Sequence, residues 1–263
     1  MRQFLGMFFA NKPRALQGIY DAPYLLMGRH VLCAEGCASD GGTAALMTGR
    51  LRNAAALRAE LIRLGLELPP DAGISALLLG AYRLWGEECV ERMQGPVCCV
   101  VVDQAEGRLI LSRDRMGEGS VFYSAQGGSV CFADHPAPLL NAPGVSRVVD
   151  RDGFGEVFGL GPARTPGRTP FRDIRSLKPS HLLVADERGC RIRAYYRLGS
   201  RPHEHDLGVT LRTVRELIEQ TVDDIAPLQP VAMLSGGVDS TSLTALLASR
   251  MKRPVRSFSV DYE

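Results

Sequence analysis

Leu234-Ser235-Gly236-Gly237-Val238-Asp239-Ser240 is the stretch that decides how this chain is read. It follows the apolar run Pro230-Val231-Ala232-Met233-Leu234, which predicts a buried strand, and precedes Thr241–Met251, which predicts a helix. Val255–Val260 predicts a second strand, so strand, loop, helix and strand form one right-handed parallel unit. Two adjacent glycines let the backbone turn tightly and approach a bulky anion with no Cβ in the way. Ser235, Ser240 and Thr241 can donate hydroxyl hydrogen bonds to phosphate oxygens. The helix that follows directs unpaired N–H groups and its positive dipole end to the same place. Asp239 beside an anion calls for a bridging cation, which suggests Mg²⁺. No Gly-x-x-x-x-Gly-Lys occurs, so this is not a Walker A loop. The same residues could also make a serine-glycine turn with a helix cap, since Asp239 and Ser240 are both good caps. The full motif between strand and helix favours a nucleotide.

Upstream of this unit, Leu207 to Ile225 predicts a helix with Val214, Leu217, Ile218 and Val222 on one side. Gly199 to His205 is polar and reads as a linker. Further back, Asn53 to Gly65 has Leu57, Leu61 and Leu64 at helical spacing, with Asn53 as the cap and Gly65 as the stop. A second helix is expected from Ile74 to Met93, ended by Gly95-Pro96. Val97–Asp103, Arg108–Ser112, Val121–Ser124 and Ser129–Phe132 are short β-branched or aromatic runs separated by turn chemistry, which predicts antiparallel strands. His181–Ala185 and Arg191–Tyr196 predict a final hairpin. Residues 141–180, rich in Gly and Pro, predict a long irregular excursion.

Composition narrows the function. At 45% hydrophobic and 23% charged the chain has the make-up of a soluble globular protein. No apolar run approaches 18 residues, and the first residues lack the apolar core and cleavage site of a signal peptide. A membrane role is therefore not expected and a cytoplasmic location is. A net charge of +2 with scattered arginines gives no case for nucleic acid. The seven cysteines, at 33, 37, 89, 98, 99, 131 and 190, include no Cys-x-x-Cys and read as reduced thiols. Cys33 and Cys37 lack a matching second pair for a metal site. His181, His203 and His205 show no metal spacing.

The loop resembles that of the N-type ATP pyrophosphatases, and nearly the whole chain resembles the asparagine synthetase family. Gly49-Arg50-Leu51-Arg52-Asn53 with Leu57-Arg58-Ala59-Glu60-Leu61 is similar to the family's GEIYN…LREEL segment. Trp85-Gly86-Glu87-Glu88-Cys89 before Met93-Gln94-Gly95 is similar to WG-x-x-x…LNG. Ser112-Arg113-Asp114-Arg115-Met116-Gly117 resembles ARDRLG. Ser257-Phe258-Ser259-Val260 resembles the strand where the family contacts adenine.

The resemblance implies an α+β N-terminal-nucleophile-hydrolase-like sandwich, two antiparallel sheets between helices, over residues 1–200. Residues 205–263 should then begin an α/β parallel-sheet ATP-pyrophosphatase domain. It further implies ATP and Mg²⁺, with Leu234, Ser235, Gly236, Gly237, Asp239, Ser240 and Val260 at the ATP and pyrophosphate site and Asp239 as an indirect Mg²⁺ ligand. In the family, a carboxylate attacks the α-phosphate of ATP, pyrophosphate leaves, and ammonia or an amine attacks the acyl-adenylate.

Two departures qualify this. Working glutaminase domains of the family begin Met-Cys-Gly-Ile, whereas Arg2 stands here at the nucleophile's position. The family's Asn-Gly-Glu aligns with Thr48-Gly49-Arg50, and its glutamine-holding aspartate with Ile74. Glutamine hydrolysis is not expected. The family also continues beyond the strand that ends near Glu263, so a fragment, or a subunit completed by a partner or a further C-terminal part, is expected. The partners implied are a small-molecule carboxylate and ammonia or an amine, with a homodimer as an assembly the resemblance allows. A lasso-peptide cyclase or β-lactam-synthetase-like ligase, and a non-catalytic scaffold, remain alternatives.

Overall fold

A computed structural model describes residues 4–9, 24–27, 30–34, 36–161 and 163–261. The chain divides into two compact units, Met1–Leu198 and Gly199–Glu263.

In the first unit the strands are β1 (Phe4–Phe9), β2 (Tyr24–Met27), β3 (His30–Ala34), β4 (Ala38–Asp40) and β5 (Thr43–Gly49). Helices α1 (Ala54–Arg63) and α2 (Ile74–Trp85) follow. The chain then forms β6 (Val97–Asp103), β7 (Arg108–Ser112), β8 (Phe122–Gln126) and β9 (Ser129–Ala133). After α3 (Pro136–Leu139) and α4 (Arg151–Gly159) come β10 (Arg175–Ser176), β11 (His181–Asp186) and β12 (Gly189–Ala194). Two six-stranded sheets result, in the orders β10-β8-β9-β1-β3-β2 and β12-β11-β7-β6-β5-β4. Every pairing within them is antiparallel.

The register explains the layering. All seven residues of β6 are buried, which a strand with a polar face could not be. Cys98, Val100 and Val102 join Ala44, Leu46, Leu109, Leu111 and Leu183 in a core that also takes Phe8, Val130 and Phe132 of the other sheet. Val97, Cys99 and Val101 point the other way, into a core built with Leu57 and Leu61 of α1 and Leu77, Leu78 and Ala81 of α2. The outer face of the first sheet places Leu5, Met7, Cys131 and Ala133 against Leu139, Ala142 and Ile174. The expected sandwich is thus present, with one outer face covered by two helices. The other is covered by short α3 and part of the 141–180 excursion.

Several local expectations are corrected. Asn53 does not cap α1 through its side chain. Its Oδ1 accepts from the Gln94 N–H at 3.0 Å and its Nδ2 donates to the Arg92 carbonyl at 2.9 Å, which ties the helix start to the turn before β6. The helix expected over 74–93 stops at Trp85, because Gly86 turns to φ +55° and a 3-10 helix carries the chain to Arg92. The excursion contains α4, whose start is fixed by Asp150 Oδ1 accepting from the Gly153 N–H at 2.6 Å. Gly153 is obligatory there, because a Cβ would run into the Pro170 backbone.

Asp114, in the segment that resembles ARDRLG, is buried. Its Oδ1 accepts from the N–H groups of Met116 (3.1 Å) and Glu118 (3.0 Å), and its Oδ2 from Gly119 (2.8 Å). Arg113 closes the same loop by donating to the carbonyls of Gly117, Gly119 and Leu177.

In the second unit, α5 (Leu207–Ile225) begins with Asp206 Oδ1 accepting from the Val209 N–H at 2.8 Å. A parallel pair, β13 (Ala232–Met233) and β14 (Ser257–Phe258), flanks α6 (Val238–Arg250). Arg250 Nε donates to Asp223 Oδ1 at 2.7 Å, joining α6 to α5. The strand over 230–234 is not buried: Met233 is 67% exposed, and Leu211, Val214 and Leu217 on the apolar side of α5 are exposed as well. Two short strands and two helices offer too few neighbours to cover those faces.

Two measurements follow from this packing. Asp114→Ala removes the shared acceptor of the Met116, Glu118 and Gly119 N–H groups, which are partly open to water, and is expected to lower stability by about 2 kcal/mol, read from urea midpoints, with Asp114→Asn costing less. Burial pushes the thiols of Cys98 and Cys99 up to about 12 and that of Cys131 up to about 11, from an ordinary value of 9.0. A raised folded-state value leaves stability intact below pH 9 and removes it progressively as pH rises toward 12. Denaturation midpoints should therefore fall across that window, while at pH 8 an alkylating agent should label exposed Cys190 and spare the buried thiols.

Candidate functional site

Residues 234–240 form a loop at the head of the parallel pair. Ala232 N–H donates to the Arg256 carbonyl at 2.9 Å and Leu234 N–H to the Phe258 carbonyl at 2.8 Å. The chain then turns at Gly236, whose φ of +80° is left-handed and favours glycine. Gly237 returns to an extended conformation and starts α6, its carbonyl accepting from the Thr241 N–H at 3.1 Å.

Ser240 Oγ is the pin of this turn. It accepts from the Ser235 N–H at 3.3 Å, donates to the Gly237 carbonyl at 3.2 Å and lies 3.0 Å from Ser235 Oγ. Two hydroxyls thus meet across the loop mouth, and both can turn toward an anion. The Asp239 carboxylate is exposed in the first turn of α6, where the helix dipole favours a negative charge.

The residues fit a phosphate group. A Cβ at Gly236 would meet nothing within 4 Å, and at Gly237 only Ser235 Oγ at 3.6 Å, so the glycines leave open the space a side chain would take. The first N–H groups of α6 have no partner within their own helix. Among the described residues no three His, Cys, Asp or Glu side chains cluster as a metal cage. A lone carboxylate suits Mg²⁺, which is usually held by one or two carboxylates with phosphates and water. Val260 lies just past β14 and is exposed. Leu234 is half-buried, and its carbonyl accepts from Ser259 Oγ at 2.7 Å. The sequence placed Ser259 only in the strand after the loop and gave no sign of this contact, because its partner lies 25 residues away.

The positions expected to align with a glutamine pocket lie on neighbouring elements. Thr48 and Gly49 end β5, next to the start of α2, where Ser75 Oγ accepts from the Met47 N–H at 3.1 Å. Gly49 at φ +96° and Gly95 at φ +113° let two backbones close up, Arg50 N–H donating to the Pro96 carbonyl at 3.1 Å. A Cβ on either glycine would collide with backbone. The backbone frame is therefore in place. Arg50 follows Gly49 directly, and Ile74 at the start of α2 packs against the core beneath α1 and α2. Arg2 lies outside the described residues.

Comparison with known proteins agrees with this layout. A family model described as a glutamine amidotransferase domain matches residues 37–196, more than half of the chain, and one described as asparagine synthase matches residues 213–263. Asparagine synthetase [glutamine-hydrolyzing] 3 of Bacillus subtilis is 33% identical over 234 residues, which is 86% of this chain and 38% of that relative. Among solved structures, the glutamine phosphoribosylpyrophosphate amidotransferase of B. subtilis overlaps 97% of this chain and 59% of its own. At a TM-score of 0.46 and 11% identity, that overlap adds nothing to the strand order already described. The chain belongs to the asparagine synthetase family, as a glutamine amidotransferase domain followed by an asparagine synthase segment.

Proposed function

We propose that this chain serves an ATP-dependent, amide-forming ligase of the asparagine synthetase type, and that its nitrogen does not come from glutamine hydrolysed within residues 1–200. The observation that carries the reading is the loop 234–240. It combines a left-handed glycine, two facing hydroxyls and a helix start in a segment that the asparagine synthase model matches.

ATP, as substrate, would activate a carboxylate by adenylyl transfer. The loop would hold the pyrophosphate portion through Ser235, Ser240 and the first N–H groups of α6, where preorganised donors act best. Asp239 would orient Mg²⁺ against the same phosphates. The Leu234 backbone and Val260 would border the base and sugar. Residues 205–263 form the nucleotide segment in this reading, residues 1–200 the glutaminase-like frame, and the setting is cytoplasmic.

Arg50 and Ile74 carry the second half of the proposal. A base cannot pair the α-amino group of glutamine, and an isoleucine offers it no acceptor. Ammonia or another amine is then the nucleophile. Ring closure by an internal amine, as in lasso-peptide cyclases or β-lactam synthetases, shares this loss and is the second reading.

Calorimetry on the 263-residue chain should show ATP·Mg²⁺ binding that weakens at least about tenfold in Asp239→Ala, a loss of about 1.4 kcal/mol. Gly236→Ala should also weaken it, since a Cβ at a left-handed position costs about 1 kcal/mol. A folded chain that binds no ATP would overturn the nucleotide reading. Incubation with glutamine should release no glutamate, and steady release would overturn the assignment of the nitrogen source.

A further inference from the structure

The loop's first peptide plane is held from two sides. The Leu234 carbonyl and the Ser235 N–H belong to one planar group, so fixing either end fixes the other. On one side the Ser235 N–H reaches Ser240 Oγ at 3.3 Å. On the other, Ser259 Oγ donates to the Leu234 carbonyl at 2.7 Å. The backbone ladder does not supply this second bond. Its contacts here run from the N–H groups of Ala232 and Leu234 to the carbonyls of Arg256 and Phe258, and β14 ends at Phe258.

We propose that Ser259 is a positioning residue for the nucleotide loop, acting through the Leu234–Ser235 peptide plane on the Ser235–Ser240 hydroxyl pair. With the Ser259 bond in place, the Ser235 N–H stays aimed at Ser240 Oγ. Ser240 is then held 3.0 Å from Ser235 Oγ, and both hydroxyls are presented at the mouth. Without it, β13 and β14 remain paired, but the plane beyond Leu234 can rotate and the two hydroxyls lose their common geometry. Ser259 itself need not touch the nucleotide. The assignment rests on the nucleotide reading only for its consequence in binding, since the effect on loop geometry stands alone.

The test compares the full chain with Ser259→Ala and Ser259→Thr, using amide hydrogen exchange followed by NMR and calorimetric titration with ATP·Mg²⁺. Ser259→Ala should speed exchange at the Ser235 amide several-fold and leave α5 amides unchanged. It should weaken ATP·Mg²⁺ about fivefold, the loss of one hydrogen bond. Ser259→Thr keeps the hydroxyl and should restore both. Unchanged Ser235 exchange in the alanine variant, or a threonine variant as impaired as alanine, would overturn the assignment. Failure of the unsubstituted chain to bind ATP would sink the nucleotide reading instead, and the exchange arm would still decide the role of Ser259.

Discussion

The first unit depends on one constraint: both faces of β6 are buried. Cys98, Val100 and Val102 fill the space between the sheets, while Val97, Cys99 and Val101 fill the space under α1 and α2. A slip of one residue would exchange the two sets and misplace every side chain, so two cores together fix one register. That register places Gly49 opposite Val97 and puts the end of β5 at the entrance to α2. It also seats β7 between β6 and β11, and just past its end Asp114 gathers three N–H groups. The candidate pocket positions are therefore a consequence of strand packing, and they survive whatever chemistry their side chains carry.

The backbone frame around the end of β5 has its own requirements. Gly49 and Gly95 are needed because backbone meets backbone there, and the cores need apolar volume; neither requirement involves a substrate. In the second unit the balance is reversed. Its apolar faces are largely exposed, yet the loop is held by a set of hydrogen bonds among Ser235, Gly237, Ser240, Leu234 and Ser259.

How much of this the sequence disclosed follows from the range of the interactions. Helix α5 was legible to the residue, because its periodic apolar residues need only the chain itself to be seen. Strand β6 was legible as an apolar run bounded by turn residues. Helix α4 was hidden by Gly153, Gly155 and Gly159, which lower helix propensity; Asp150 and the close approach to Pro170 fix its start. The strand before the loop was read as buried because its residues are apolar, but burial depends on neighbours that composition does not reveal. Asp114 and Ser259 were missed for a shared reason. Each is a polar side chain whose importance lies in which backbone groups the fold brings to it.

The central claim is that the two units carry different burdens, with nucleotide recognition confined to the loop at the head of α6. Backbone amide shifts of the labelled chain during an ATP·Mg²⁺ titration test it most directly. The account predicts saturable shifts at Ser235, Gly236, Gly237, Asp239 and Ser240, with the amides of Thr48 to Arg50 and of Ile74 and Ser75 unmoved. Shifts centred on those latter positions, with the loop silent, would contradict it.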